Sequence, residues 1–212
     1  MSFFDMDSPF MAALSRIADL IVLNIAVLIC CIPVITAGAS MTGMHYVLIK
    51  MARDEDSHIL RSYFKSFKEN FRQATAIWCL FLFLGFLLMI DVFLTGGRGS
   101  SGITFPVFLR YMIFGACVLL LMVYLYVFPL LSRFHNTVPG TIANAARLAA
   151  ASFPRTIVMF VITLAVPAAF WLVPALFPLF IFLGVSGPAY LCSLIYYPVI
   201  KRIEEKAADL SV

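Results

Sequence analysis

Residues 156–200 read TIVMFVITLAVPAAFWLVPALFPLFIFLGVSGPAYLCSLIYYPVI and contain no Asp, Glu, Lys or Arg over 45 positions. A helix needs about 20 apolar residues to cross the hydrocarbon core of a bilayer, so this run has room for two crossings. Its prolines, Pro167, Pro174, Pro178, Pro188 and Pro198, mark the joints, and Val173-Pro174 or Pro178 is the predicted turn. A charge left at the bilayer centre costs about 2.5–3.5 kcal/mol on insertion scales, which makes charge-free runs the signal elsewhere too. Residues 20–49, 73–90 and 111–132 are the other three. The predicted fold is all-α: one integral membrane domain over residues 1–212, a polytopic transmembrane helical bundle of about five spans near 14–35, 74–95, 108–131, 156–173 and 179–200.

Composition demands the same solvent. The chain is 63% hydrophobic and only 12% charged, where soluble domains carry about 25% charged residues. This excludes a disordered chain and a disulfide-stapled secreted domain. The net charge of +4 supplies no basic stripe for nucleic acid.

Lys and Arg set the orientation, because they concentrate on the cytoplasmic side of short loops. Five crossings separate twelve of them, in the segments after the first, third and fifth spans, from Arg16, Arg98 and Arg110. That predicts an external N-terminus and a cytoplasmic C-terminus in a multi-pass protein of the plasma membrane. Ala37-Gly38-Ala39 looks like a signal-peptide cleavage site, but the N-terminal segment has Asp5 and Asp7 and no basic residue before Arg16, which argues against a leader. The five cysteines fall inside predicted spans and read as small hydrophobes. His45, His58 and His135 are scattered, and neither a metal site nor any other cofactor is expected.

Intramembrane polar groups are functional candidates. Asp19 and Asp91 fall near the outer surface, where they either pair with Arg16, Arg98 or Arg110 or share an outward polar pocket with Trp171. Asn24 lies deeper, where an amide most often bonds a neighbouring helix.

Two cytoplasmic segments have helical character. In residues 59–73, Leu60, Tyr63, Phe64, Phe67 and Phe71 recur at helical spacing, with Arg61, Lys65, Lys68 and Arg72 on the remainder. This is a basic amphipathic helix, lying in the headgroup layer or packed beneath the bundle, and open to a partner in either case. Residues 138–153 follow a helix-start signal at Thr137 and Pro139. Ala145 and Ala149 permit close helix approach, and Arg147 and Arg155 are candidate partner contacts. The similar approaches to the next span, Asn70-Phe71-Arg72-Gln73-Ala74 and Ser152-Phe153-Pro154-Arg155-Thr156, hint at a duplicated span–elbow–span unit.

Pro33-Val34-Ile35-Thr36-Ala37-Gly38 with Tyr46, Phe64-Lys65-Ser66-Phe67-Lys68-Glu69-Asn70-Phe71-Arg72-Gln73-Ala74, and Phe128-Pro129-Leu130 with Phe134-His135-Asn136-Thr137 and Asn144-Ala145 resemble the YesL-like family of bacterial membrane proteins, a domain of unknown function. The resemblance implies a multi-span protein of Gram-positive-type bacteria, often encoded beside carbohydrate ABC transporters. It carries over no catalytic residue, and no HExxH, GxSxG or P-loop is present, so no enzymatic activity is expected. The expected function is accessory: docking on the subunits of an ABC transporter for oligosaccharides, or on a regulator, through the cytoplasmic elbows. The alternative is a small autonomous transporter or channel.

Overall fold

The computed structural model describes residues 9–55, 58–95, 107–134 and 136–209. Among them the regular structure is entirely helical. Helix α1 (Pro9–Cys31) stops before Ile32-Pro33. A 3-10 turn (Val34–Thr36) reverses the chain into α2 (Ala37–Ala52). Ser40 Oγ donates to Val27 O at 3.2 Å beside this turn, while Arg16 pairs with Asp54 at the far end. The two helices therefore lie antiparallel.

Helix α2 was not foreseen; the expectation was a single span near 14–35 with a polar exit. At 16 residues, about 24 Å, it is shorter than the hydrocarbon core is thick. It is also the most buried helix of the bundle, with Ala37, Gly38, Ala39, Ser40, Thr42 and Gly43 all inside. Ala37-Gly38-Ala39 is the first turn of this packed helix. Small residues let backbones approach closely where apolar burial gives no drive of its own. A Cβ on Gly38 would stand 2.5 Å from Ala74 O and from Trp78 Cβ, both on the next helix.

That helix, α3 (Ile59–Thr95), is unbroken for 37 residues, about 55 Å. The amphipathic segment 59–73 is its base and not a separate helix, because no Pro or Gly separates it from the apolar run that follows. Its inward face coincides only in part with the expected aromatic one. Tyr63, Ser66, Asn70, Ala74 and Ile77 are buried against the bundle, whereas Leu60, Phe64 and Phe71 are exposed. Polar and small side chains win the interior because they fit α2: the Tyr63 hydroxyl and Ser40 Oγ lie 2.7 Å apart.

Helix α4 (Val107–Leu131) returns along α3, with Tyr124 and Phe128 packed on Trp78 at ring separations of 6.3 Å. The second elbow is α5 (Val138–Ala151), capped by Thr137, whose hydroxyl accepts from Gly140 N. The chain turns through 102° into α6 (Phe153–Leu172). Thr156 Oγ donates to Ala149 O at 2.9 Å and to the Tyr126 hydroxyl at 3.2 Å, pinning this corner to α4. The duplicated unit does not hold, since α3 runs through the matching position without a corner. The predicted turn at Val173-Pro174 is present, and the final run divides again, into α7 (Phe177–Leu183) and α8 (Ser186–Asp209) with a 60° bend.

Helices α1, α3 and α4 are each long and apolar enough to span a bilayer, and counting the two bent pairs α5–α6 and α7–α8 as one unit each gives up to five. Large apolar side chains cover the outer surfaces of α3, α4 and α6, among them Phe83, Phe86, Phe108, Phe114 and Val161. A surface of this extent belongs to lipid and not to water.

The start of α1 and the close of α8, as described, lie toward one end of the bundle. Arg16 near the start of α1 meets Asp54, and Arg53 meets Glu204 near the end of α8. The α1–α2 hairpin returns the chain to its starting end, which a count of five simple crossings misses.

Candidate functional site

Asn24 is fully buried and serves the break between α7 and α8. Its Nδ2 donates to Ile181 O at 2.7 Å and Phe180 O at 3.3 Å, and its Oδ1 accepts from Val185 N at 3.0 Å and Ser186 N at 2.8 Å. Ile181 O, Val185 N and Ser186 N are groups of the kind that a helix break leaves without intrahelical partners, while Phe180 O also accepts from Gly184 N at 2.9 Å. Ser186 Oγ adds a bond to Leu20 O at 2.8 Å. One amide thus replaces the backbone ladder where Gly184 and Pro188 interrupt it. The packing role expected of Asn24 is the one it has, but it braces a helix break and not merely a helix face.

Of the expected outward polar pocket, Asp19 and Trp171 have described side chains. Trp171 is 87% exposed. Asp19 is half-buried, and its expected partner Arg16 is engaged by Asp54 and by the Tyr190 hydroxyl at 2.9 Å. Asp91 lies on α3, but its side chain, like those of Arg98 and Arg110, is outside the described residues, as is all of His135.

The polar side chains gather instead at the end where α1 begins and α8 finishes, the base of the bundle. Arg53 joins Glu204 and lies 3.6 Å from Glu55, with its guanidinium over the Tyr197 ring. Arg133, in the turn after α4, stands over Tyr46, the ring that Lys50 also faces. Burial, and after it the charge of Arg53, lower the Arg133 pKa, and its Nε and Nη2 have no hydrogen-bond partner. Spacing alone could not bring these together, because they come from three separate segments.

The outer faces of the base carry the expected contact residues. Lys65, Lys68 and Arg72 are exposed along α3 beside Phe64 and Phe71, while Phe67 is half-buried between Tyr63 and Phe71. Arg147 lines a groove of about 340 Å³ between α5 and α8, together with Asn136, Asn144 and Ile203. Arg155 is exposed in the first turn of α6, and Gln73 Nε2 donates to Asn136 O, which fastens the second elbow to α3.

A cavity of about 230 Å³ lies where α2, α4, α6 and the α7–α8 break meet. Met44, His45, Tyr124, Met159, Thr163 and Cys192 are among its walls. The Tyr196 hydroxyl lies 2.9 Å from His45 Nδ1 and fixes the ring. The sequence reading placed His45 in a cytoplasmic loop, since α2 itself went unseen. No group of three or more His, Cys, Asp or Glu suited to a metal ion occurs among the described residues.

Fold and polar sites together define a polytopic helical membrane protein. Residues 20–92, from α1 into the last turn of α3, match a family described as a protein of unknown function, DUF624. No curated protein and no solved structure matches the chain.

Proposed function

We propose that this chain is an accessory protein of oligosaccharide uptake in a bacterial plasma membrane, docking by its base on the subunits of an ABC transporter. The occupied state of Asn24 carries this reading. A solute path needs polar groups free to meet the solute near the midplane, and the strongly polar side chain placed deep in the first span is fully bonded to backbone. The recognisable polar surface is at the base, around Arg147 and Arg155. The YesL-like resemblance supplies the carbohydrate and transporter context. Deleting the gene should slow growth on a complex oligosaccharide and leave growth on glucose unchanged. Arg147→Glu with Arg155→Glu should reproduce the deletion at a normal level of protein in the membrane. Normal growth of that double variant sinks the reading.

The base is the cytoplasmic end in this proposal. With Arg16 at the base, thirteen of the fifteen lysines and arginines lie on that side, and only Arg98 and Arg110 remain near the α3–α4 connection. In a cysteine-free variant on intact cells, an impermeant thiol reagent should label Gly97→Cys and spare both Ser15→Cys and Ser152→Cys. Labelling of Ser15→Cys alongside Gly97→Cys would restore opposite ends.

The cavity beside His45 favours a second reading, a small transporter whose substrate enters between α2 and α6. It predicts solute flux from the purified protein alone.

A further inference from the structure

The α1–α2 turn poses a contradiction if it faces water. Ile32, Val34 and Ile35 are 77%, 60% and 60% exposed, and no charged residue occurs anywhere in residues 20–49. Several of its backbone groups are nonetheless tied off from within. Thr36 Oγ shares its one proton between Cys30 O at 2.5 Å and Pro33 O at 2.8 Å, and the Thr36 N–H also reaches Pro33 O. The Ile32 N–H bonds Ile29 O, Pro33 has no N–H to satisfy, and Val34 O accepts from Ala37 N–H and from Trp78 Nε1, the latter at 2.7 Å. Irregular backbone is tolerated at membrane depth only when its polar groups find partners inside the protein. Here Thr36, Ala37 and Trp78 supply internal partners for Cys30 O, Pro33 O and Val34 O, and the apolar side chains face out over them.

The level of the turn agrees. Trp78, which holds it, packs on Tyr124 and Phe128, near the base end of α4. Beyond Trp78, α3 continues to Thr95, a further ~25 Å. The turn therefore stops well short of the far ends of α3 and α4.

We propose that α1 and α2 form a re-entrant hairpin whose tip, Ile32 to Ile35, is embedded in the hydrocarbon of the leaflet on the base side, with acyl chains as its contact. The hairpin enters and leaves on one face of the membrane, which is why Arg16 and Asp54 meet. Trp78 is the bracket that holds the tip at depth.

Spin labels test this in the full chain reconstituted in phosphatidylcholine–phosphatidylglycerol vesicles, using a cysteine-free variant carrying Ile32→Cys or Ile35→Cys. Phe86→Cys, on the exposed apolar face of α3, is the lipid reference, and Arg61→Cys, at the base, is the aqueous one. Both tip labels should collide with oxygen several-fold more often than with a water-soluble nickel chelate, as at position 86. Nickel collision rates like those at position 61 would overturn the proposal by placing the tip in water. Low collision with both reagents would overturn it as well, because protein and not lipid would then cover the tip. A circular dichroism melt matching the unlabelled protein shows that each labelled variant is folded.

Discussion

Asn24→Leu should abolish assembly of the bundle. Leucine keeps the volume but leaves Ile181 O, Val185 N and Ser186 N without partners at a buried helix break. Each orphaned group costs about 1–3 kcal/mol, and three of them amount to several kcal/mol against a typical total stability of about 5–15 kcal/mol. The variant should be lost to aggregation or degradation, or melt far below wild type in detergent. Asn24→Asp should be milder, because a buried protonated carboxyl offers a donor and acceptors in nearly the same places. Equal stability of Asn24→Leu and wild type, read as the midpoint of thermal unfolding, would mean that the break is held by something other than this amide.

Enlarging Gly38 should have the next largest effect. The close approach of α2 to α3 leaves its Cβ position 2.5 Å from Ala74 O, and a backbone atom cannot swing aside as the end of a side chain can. Gly38→Ala must part the two helices, at about 1–3 kcal/mol for overpacking, and Gly38→Leu should prevent assembly. Displacement also threatens the Trp78 bond to Val34, since Trp78 Cβ is the other near neighbour. Gly85, also on α3, has nothing within 4 Å of its Cβ position. Gly85→Ala should therefore be neutral or raise stability by about 0.5–1 kcal/mol, the helical preference of alanine over glycine. The two glycines thus separate a packing requirement from ordinary helix propensity.

The membrane character of the chain was legible because charge is so strongly excluded from hydrocarbon: charge-free runs located α1, α3 and α4 and the turn at Val173-Pro174. What failed was reading polarity as geometry. The basic residues from Arg61 to Arg72 suggested an elbow separate from the following span, yet nothing between Phe71 and Thr75 can break a helix, and α3 runs through. Helix α2 was hidden because residues 20–49 offer one proline as punctuation and because its inward face is built from Gly, Ala, Ser and Thr, which carry little hydropathy signal. Missing it separated Arg16 from Asp54, which the structure brings together. The Gly184-Val185-Ser186-Gly187-Pro188 stretch did carry a break signal, and Asn24 was correctly read as a packing residue. Its partners were beyond reach, since they lie more than 150 positions away. The Arg53–Glu204 pair and the His45–Tyr196 contact were invisible for the same reason.

Co-purification tests the docking role of the base most directly. Protein tagged and extracted from its native membrane in mild detergent should carry the permease or ATPase subunits of a carbohydrate ABC transporter, identified by mass spectrometry. Arg147→Glu with Arg155→Glu should lose them while remaining folded. Solitary protein in both preparations, moving solute across liposomes on its own, would contradict the accessory role and transfer the function to the cavity beside His45.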